Sequence, residues 1–236
     1  MFGTDLAAVY DLVYSERGQD FASEAELVTT LVRDRAPGAA SLLDVGCGTG
    51  EHLVTLAKHF THVEGVDLAE PMVAVARAKL PDVAVHIGDM TALDLGRTYD
   101  AIISLSAAVA YLPSADAMGI ALKNMASHLA PGGVLVVEPW YFPENFLDGH
   151  IAADIIRGAG RTISRVSRSR AQDGATHIES HWVVADADAI RHFTETHVFG
   201  LWTREQYDAA FAAAGCTAEY VPDVQLGRGL FVARQR

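Results

Sequence analysis

The sequence is poor in cysteine and basic residues and has no long hydrophobic run. Its two cysteines, Cys47 and Cys216, stand far apart, which excludes a disulfide framework and a cysteine-rich metal site. Lys and Arg number 18 against 30 Asp and Glu, and the net charge of −12 argues against a broad surface for nucleic-acid phosphates. We therefore expect a small-molecule substrate and no nucleic-acid partner.

Membrane and export signals are also missing. No stretch approaches the roughly 18 apolar residues that a membrane span requires. Asp5 and Asp11 interrupt the N-terminal residues, where an export signal would have a basic segment followed by an apolar one. The expectation is a cytoplasmic protein in a reducing compartment, with no membrane partner.

Strand and helix patterns alternate along much of the 236-residue chain, which predicts one α/β domain over residues 1–236 with a mostly parallel sheet and helices on both faces. Predicted strands cover 41–45, 62–67, 83–87, 99–105, 133–138, 216–221 and 229–233. Predicted helices start after the capping residues Asp20, Ser114 and Thr203, and another covers 51–60. Residues from about 155 to 200 break this rhythm with three strand patterns, which predicts an inserted antiparallel β segment at about 150–200.

A glycine-rich loop, DVGCGTG at residues 44–50, joins a predicted strand to a predicted helix. Gly46, Gly48 and Gly50 let the backbone approach a ligand closely where free N–H groups point out of the helix start. A dinucleotide-binding loop would have its third glycine at position 51, which is Glu51 here. The spacing therefore disfavours an NAD-dependent oxidoreductase.

Acidic residues end the next two predicted strands. Asp67 lies seventeen residues beyond Gly50, where a carboxylate accepts hydrogen bonds from ribose hydroxyls. Asp89 and Met90 end the third strand and offer an acceptor and an apolar side chain to an adenine. Together with the loop, these motifs resemble the class I methyltransferases, a Rossmann-like fold.

That resemblance implies S-adenosylmethionine (SAM) as cofactor and S-adenosylhomocysteine as its product. It places Asp44 near the methionine ammonium, Leu105 below the sulfonium and Tyr14 in a segment that closes the cofactor pocket. The implied cofactor-binding residues are Tyr14, Asp44, Gly46, Gly48, Gly50, Asp67, Leu68, Asp89, Met90 and Leu105.

Over nearly its whole length the chain also resembles the N-methyltransferases that dimethylate TDP-linked deoxyaminosugars in macrolide biosynthesis. The matching segments lie at 10–25, 41–53, 132–149, 165–169, 177–186 and 227–232. The resemblance implies a TDP-linked aminosugar as substrate, two methyl transfers to one nitrogen, a lid formed by the insertion, and a homodimer.

The chain departs from this family at several positions. Ala107 and Ala108 stand where the family has two serines, Phe21 replaces a tyrosine, and Tyr141 replaces a tryptophan. These changes leave open which sugar is used and whether its amine is at C3 or C4.

The predicted substrate-binding residues are Trp140, Tyr141, Arg165, Glu179 and Arg228. Arg228, between two glycines, has the planar fork that binds a diphosphate, although a solvated turn arginine fits the same pattern. Trp140 and Tyr141 offer a stacking face for thymine or ordinary packing. Arg165 is the arginine of its strand that matches the family.

Three residues are candidates for catalysis: Tyr111, Glu138 and His181. Tyr111 stands where the family has His or Tyr, and the alternative is a packing role. Glu138 ends a central strand, where it orients an amine or forms a structural hydrogen bond. His177, Glu179 and His181 share one face of a strand, and we expect that face to touch the sugar and to bind no metal.

Two rival functions remain open. A methyltransferase for a free natural product would keep the cofactor motifs but need no diphosphate site. A SAM-binding protein without activity would also keep these motifs, so only turnover separates it from an enzyme.

Overall fold

A computed structural model describes residues 2–235, which form two β-sheets with helices packed around the larger one. The helices are α1 (Thr4–Ala7), α2 (Tyr10–Glu16), α3 (Phe21–Arg35), α4 (Glu51–Leu56), α5 (Glu70–Lys79), α6 (Ala115–Ser127) and α7 (Arg204–Ala213), with a 3-10 helix at Ala108–Tyr111. The larger sheet contains β1 (Ser41–Val45), β2 (His62–Asp67), β3 (Ala84–Ile87), β4 (Tyr99–Ser104), β5 (Leu129–Val137), β10 (Cys216–Val221) and β11 (Leu230–Gln235). The smaller sheet contains β6 (Ile151–Gly158), β7 (Arg161–Gln172), β8 (Ala175–Ala185) and β9 (Ile190–Gly200).

The larger sheet has the strand order β10-β11-β5-β4-β1-β2-β3. Its first five strands in the chain pair in parallel, and only β11 runs antiparallel to its neighbours β5 and β10. The prediction of a mostly parallel seven-stranded sheet is therefore confirmed. Because β1 to β5 are parallel, their carboxyl ends meet at one edge, where open α/β sheets bind ligands.

Alternating residues of the central strands build one core on each face of this sheet. Ile102 of β4 packs with residues of α6 and α7, whereas its neighbours Ala101 and Ile103 pack with residues of α3, α4 and α5. Strands buried on both faces read as continuous apolar runs, which is why the pattern of the sequence predicted them.

Local capping chemistry sets several helix starts as predicted. The Asp20 carboxylate accepts a hydrogen bond from the Ser23 N–H, and the Ser114 hydroxyl accepts one from Ala117. Thr203 and Gln206 form a reciprocal capping box at α7. The predicted 51–60 helix is shorter, because α4 ends at Leu56 and turns follow. Within residues 2–235 no helix is long and apolar enough to cross a membrane.

The smaller sheet is the predicted insertion, with one strand more than expected. The sequence predicted three strands from about residue 155, but β6 adds a fourth and pairs with β7 along its length. Apolar residues alternate only weakly in β6, which explains the miss. The N-terminal helices cover the inner face of this sheet, where Leu6, Val9 and Val13 pack with Ile156, Ile163 and Trp182.

Candidate active site

The glycine loop connects β1 to α4 at the carboxyl edge of the larger sheet. Gly46 has φ +80° and donates its N–H to the Val66 carbonyl at 2.8 Å. A Cβ at Gly46 would lie 2.5 Å from the Cβ of Ala108, so only glycine is accommodated there. Gly50, with φ +78°, is the N-cap of α4. The loop therefore lies between β1 and α4, as the sequence predicted. The N–H groups of its three glycines are not free, because they donate to the carbonyls of Val66 and Cys47 and to the Asp67 carboxylate.

Asp44 is the penultimate residue of β1, directly before this loop, and its side chain is buried. One of its carboxylate oxygens, Oδ2, has no hydrogen-bond partner. Burial raises the pKa of Asp44 to about 7; His52 opposes this shift and Asp67 adds to it. A buried carboxylate with an unpaired oxygen is costly unless a cation meets it. The arrangement therefore fits the ammonium group of a SAM molecule.

Asp67 is the last residue of β2, and Asp89 lies two residues after the neighbouring parallel strand β3. Asp67 accepts hydrogen bonds from the N–H groups of Gly48 and Ala69, both at 2.8 Å, and Asp89 accepts one from Thr91 at 2.8 Å. Each carboxylate has lone pairs left for hydroxyl or amino donors. Burial raises the pKa of Asp67.

Apolar side chains accompany these acids. The Leu68 side chain is 53% exposed, and Met90 lies within reach of Gly46. Both are therefore available to an adenine ring. Leu105 is different, because its side chain packs in the core, and only its backbone reaches this edge: its carbonyl accepts the Ala108 N–H.

The N-terminal segment lies across the glycine loop. Asp11 accepts hydrogen bonds from the Thr49 hydroxyl and from the Lys79 ammonium, the latter at 2.7 Å. Tyr14 follows on α2 and packs against Tyr10, with ring centroids 4.3 Å apart. Tyr14 also lines the cavity beside this edge, and its contact with the cofactor stays a prediction.

A cavity of about 370 Å³ lies between the N-terminal segment, the loops after β4 and β5, and the inner face of the smaller sheet. Six of the predicted site residues line it: Tyr14, Tyr111, Trp140, Tyr141, Arg165 and Arg228. Ser106 and Gln19, which the sequence did not single out as site residues, also line it. The cavity adjoins the cofactor edge through Ser106, which comes directly after Leu105.

Tyr111 ends the 3-10 helix after β4, and its phenol oxygen lies 3.1 Å from Nδ1 of His197 on β9. Its ring packs on Phe199, which in turn stacks on Trp140, with centroid distances of 4.4 Å in both pairs. Burial in this cavity raises the pKa of Tyr111 well above its ordinary value, with smaller contributions from Tyr14. The phenol therefore keeps its proton at neutral pH.

Glu138 and Arg228 were predicted in separate roles, but the structure pairs them. Glu138 is completely buried; Oε1 accepts hydrogen bonds from Nε and from a terminal nitrogen of Arg228, and Oε2 accepts the Ser106 N–H at 2.6 Å. These contacts are the structural hydrogen bonds that the sequence left open as one of two roles for Glu138, and its contact with an amine stays a prediction. The guanidinium fork of Arg228 is likewise turned to Glu138 and is not free to grip a diphosphate with both of those nitrogens.

A second arginine pair lies at the other side of the cavity. Arg165 donates to Asp154 at 3.1 Å, and Arg17 lies 3.2 Å from the same carboxylate oxygen. The Arg165 Nε is buried and has no partner. Burial and the neighbouring Arg17 lower the pKa of Arg165. Two guanidinium groups around one carboxylate leave a net positive charge at this wall.

Aromatic residues form the wall between these two arginine sites. The Trp140 indole donates to the Thr176 hydroxyl at 3.2 Å and lies 4.9 Å from the Tyr141 ring. Arg228 lies over the Trp140 ring at 5.7 Å. Trp140 thus has a packing role as well as a face on the cavity.

Glu179 and His181 lie on the outer face of the smaller sheet, away from the cavity. Their side chains are 59% and 52% exposed and hydrogen-bond to each other. The inner face of β8 is formed instead by Ile178, Ser180 and Trp182. The prediction that Glu179 and His181 touch the sugar is therefore wrong. Trp182 and Ile178 carried the apolar signal that identifies the inner face.

Sequence reasoning missed Arg17, Gln19, Asp154 and His197. The Gln19 amide donates to Ser106 and to Glu24 of α3, at 3.1 Å each. Glu24 also hydrogen-bonds His52 at 2.8 Å, in a buried cluster behind the glycine loop. No local motif marks these residues, because partners distant in the chain make most of the contacts, such as Ser106 for Gln19 and Tyr111 for His197.

Comparisons with known proteins show which family the chain belongs to. A methyltransferase-domain family model matches residues 42–133. The chain is 48% identical to the dTDP-3-amino-3,4,6-trideoxy-alpha-D-glucopyranose N,N-dimethyltransferase of Streptomyces venezuelae, over 98% of each chain. It is 42% identical to the dTDP-4-amino-2,3,4,6-tetradeoxy-D-glucose N,N-dimethyltransferase of Saccharopolyspora spinosa, over 98% of this chain and 93% of the relative.

A solved structure gives the same result. The fold matches a SAM-bound amino pentose methyltransferase from Micromonospora echinaspora, involved in calicheamicin biosynthesis, with a TM-score of 0.89 and 51% identity over 97% of each chain. The similarity supports SAM as the cofactor of this protein. The chain is a member of the sugar N,N-dimethyltransferase family of SAM-dependent class I methyltransferases.

Proposed function

We propose that this protein dimethylates the amino group of a TDP-linked deoxyaminosugar in the biosynthesis of a macrolide-type antibiotic. The observation that carries the proposal is the cavity beside the SAM edge, which has a phenol at one wall and the Arg17–Asp154–Arg165 group at another. A sugar diphosphate needs both a place for its amine near the methyl donor and positive charge for its phosphates. Relatives that act on TDP-aminosugars support the same substrate class.

The reaction needs alignment more than acid–base strength. SAM, when bound, supplies a methyl group on a positively charged sulfur. The amine nitrogen forms a bond to the methyl carbon as the carbon–sulfur bond breaks, and the bonding pair leaves with sulfur. Holding the reacting atoms about 3–3.5 Å apart supplies much of the rate acceleration. Each transfer yields an ammonium that loses a proton before the nitrogen reacts again or leaves.

The residues of the site have separate roles, which follow from where they lie around the cavity. Asp44 and Asp67 hold the cofactor from the sheet edge. Tyr111 orients the amine, and Arg165 with Arg17 binds the diphosphate. Glu138 positions Arg228 and Ser106 between the two halves of the site. The smaller sheet acts as the lid over the sugar.

The experiment is a substrate panel. The pure protein is incubated with SAM and a set of TDP-3-amino and TDP-4-amino deoxysugars, and product masses are followed by liquid chromatography. We expect one or more sugars to gain the mass of two methyl groups. Whether these are 3-amino or 4-amino sugars identifies the position of the amine that the protein methylates. The same sugars without the nucleotide serve as controls, since they lack the diphosphate.

The rival functions have distinct outcomes. Methylation of free acceptors but of no TDP-sugar would support a methyltransferase for another natural product. SAM binding by calorimetry without turnover on any acceptor would support a protein that binds the cofactor without activity. Either result would overturn the proposal.

A further inference from the structure

A hydrogen bond between Tyr111 and His197 links the two sheets at the cavity. Tyr111 belongs to the larger sheet's side, directly after β4, and His197 belongs to β9 of the smaller sheet. Their Oη and Nδ1 atoms are 3.1 Å apart, and both residues line the cavity. Any shift of the smaller sheet therefore changes the surroundings of the Tyr111 phenol.

His197 is held firmly at this place. Its side chain is buried, and its ring packs against Phe2 at 5.1 Å and against the Tyr111 ring at 5.8 Å. Burial lowers the pKa of His197 to about 4, and the nearby Arg165 contributes. The imidazole is therefore neutral at pH 7, and one of its two nitrogens can accept a hydrogen bond.

We propose that His197 is a positioning residue. Its Nδ1 accepts a hydrogen bond from the Tyr111 hydroxyl, and this bond turns the lone pairs of the phenol oxygen toward the sugar amine. The inference rests on the proposed function. A phenol has one proton to donate and can accept hydrogen bonds at its oxygen. Once its proton is committed to His197, the oxygen can only accept an N–H from the amine.

This assignment has a consequence for the two methyl transfers. A primary amine has two N–H bonds, and either can meet the Tyr111 oxygen. The monomethylated amine has one, so a single orientation satisfies the phenol and aims the nitrogen lone pair at the next methyl group. The second transfer therefore depends on His197 at least as strongly as the first. The dimethylated amine has no N–H and loses this contact.

The test uses four variants of the full chain with a sugar that the wild-type protein methylates. His197→Leu removes the acceptor, whereas His197→Asn keeps an acceptor near the position of Nδ1. Tyr111→Phe removes the phenol, and the fourth variant combines it with His197→Leu. His181→Leu, on the outer face of the same sheet, is the matched control.

We expect His197→Leu to lower kcat by about tenfold to a hundredfold with a small change in KM, as misalignment does. Monomethylated sugar should accumulate. His197→Asn should recover most of the lost rate, and His181→Leu should behave as wild type. In the Tyr111→Phe background, His197→Leu should cause no further loss, because its effect passes through the phenol.

Other results would overturn the inference. Losses that multiply in the double variant, an Asn variant as slow as the Leu variant, or an effect on KM alone would give His197 only a structural role. Thermal unfolding and SAM calorimetry check that each variant folds. If His197→Leu does not fold, His197→Gln replaces it, because glutamine reaches toward Nε2 and leaves Nδ1 without a counterpart. Failure of the wild-type protein on every TDP-sugar would instead overturn the proposed function.

Discussion

Glu138 at the end of β5 holds Arg228 of the β10–β11 connection, ninety positions away, in a two-nitrogen ion pair buried beside the cavity. The remaining Glu138 oxygen accepts the N–H of Ser106, which has φ +51°, and Ala107 follows with φ +57°. Non-glycine residues in this conformation cost of order 1 kcal/mol each and persist where neighbouring contacts hold them. The Glu138 carboxylate thus stabilises a strained turn directly after β4, where amine and methyl group are expected to meet.

The first prediction concerns this pair. Arg228→Ala should lower the free energy of unfolding by about 3–5 kcal/mol, because it leaves the buried Glu138 charge without its partner. Adding Glu138→Gln should restore part of that stability, since an amide needs no counterion. Urea unfolding of the two variants and the wild type measures both effects. Equal stability of Arg228→Ala and wild type would contradict the pairing.

The Glu138–Arg228 contact also shows where sequence reasoning stops. The strand-to-helix position of the glycine loop, the strands of the larger sheet and the helix caps depend on residues close in the chain, and the structure confirms them. The choice of partner for Glu138 depends on folding that brings distant segments together, so each residue alone suggested a ligand contact. The sequence did contain a signal that His181 faces outward, because its apolar neighbour Trp182 must face the core. It contained no such signal for His197, because the contact of that residue with Tyr111 joins distant parts of the chain.

The second prediction tests the diphosphate wall. Arg165→Gln should raise KM for the TDP-sugar by about tenfold to a hundredfold, the value of one or two hydrogen bonds to a charged group. The turnover number and the affinity for SAM should change little. Arg168→Gln, on the same strand but on the outer face, removes an equal charge and should leave KM unchanged. An equal effect of both variants would show that general electrostatic attraction acts there, not direct contact.

The third prediction concerns the glycine loop. Gly46→Ala should destabilise the protein by about 1–3 kcal/mol and abolish measurable SAM binding, because its Cβ collides with Ala108 in a backbone conformation that alanine resists. Gly119→Ala is the control: Gly119 lies within α6, an added Cβ meets no atom within 4 Å, and alanine favours helices. That variant should be stabilised by about 0.5–1 kcal/mol. Thermal unfolding and calorimetry with SAM compare the two.

The fourth prediction follows from the Asp44 carboxyl, whose pKa burial raises to about 7. Because folding raises this pKa, the stability from the group is greatest at low pH and is lost as pH rises through about 7. A cation beside Asp44 reverses that loss by favouring the ionised form. SAM binding below pH 7 must therefore expel a proton, and the Kd should rise by up to about tenfold per pH unit as pH falls from 7.

Calorimetry at pH 6, 7 and 8, in buffers of different ionisation enthalpy, measures the affinity and the protons released. His52 also faces this carboxylate, and its raised pKa, despite the opposing effect of burial, makes it a second titrating group. Asp44→Asn separates the two: it should bind SAM more weakly, with little pH dependence between 6 and 8. A pH dependence as steep as the wild type's in Asp44→Asn would assign the proton to His52 instead and contradict a direct contact between Asp44 and the ammonium.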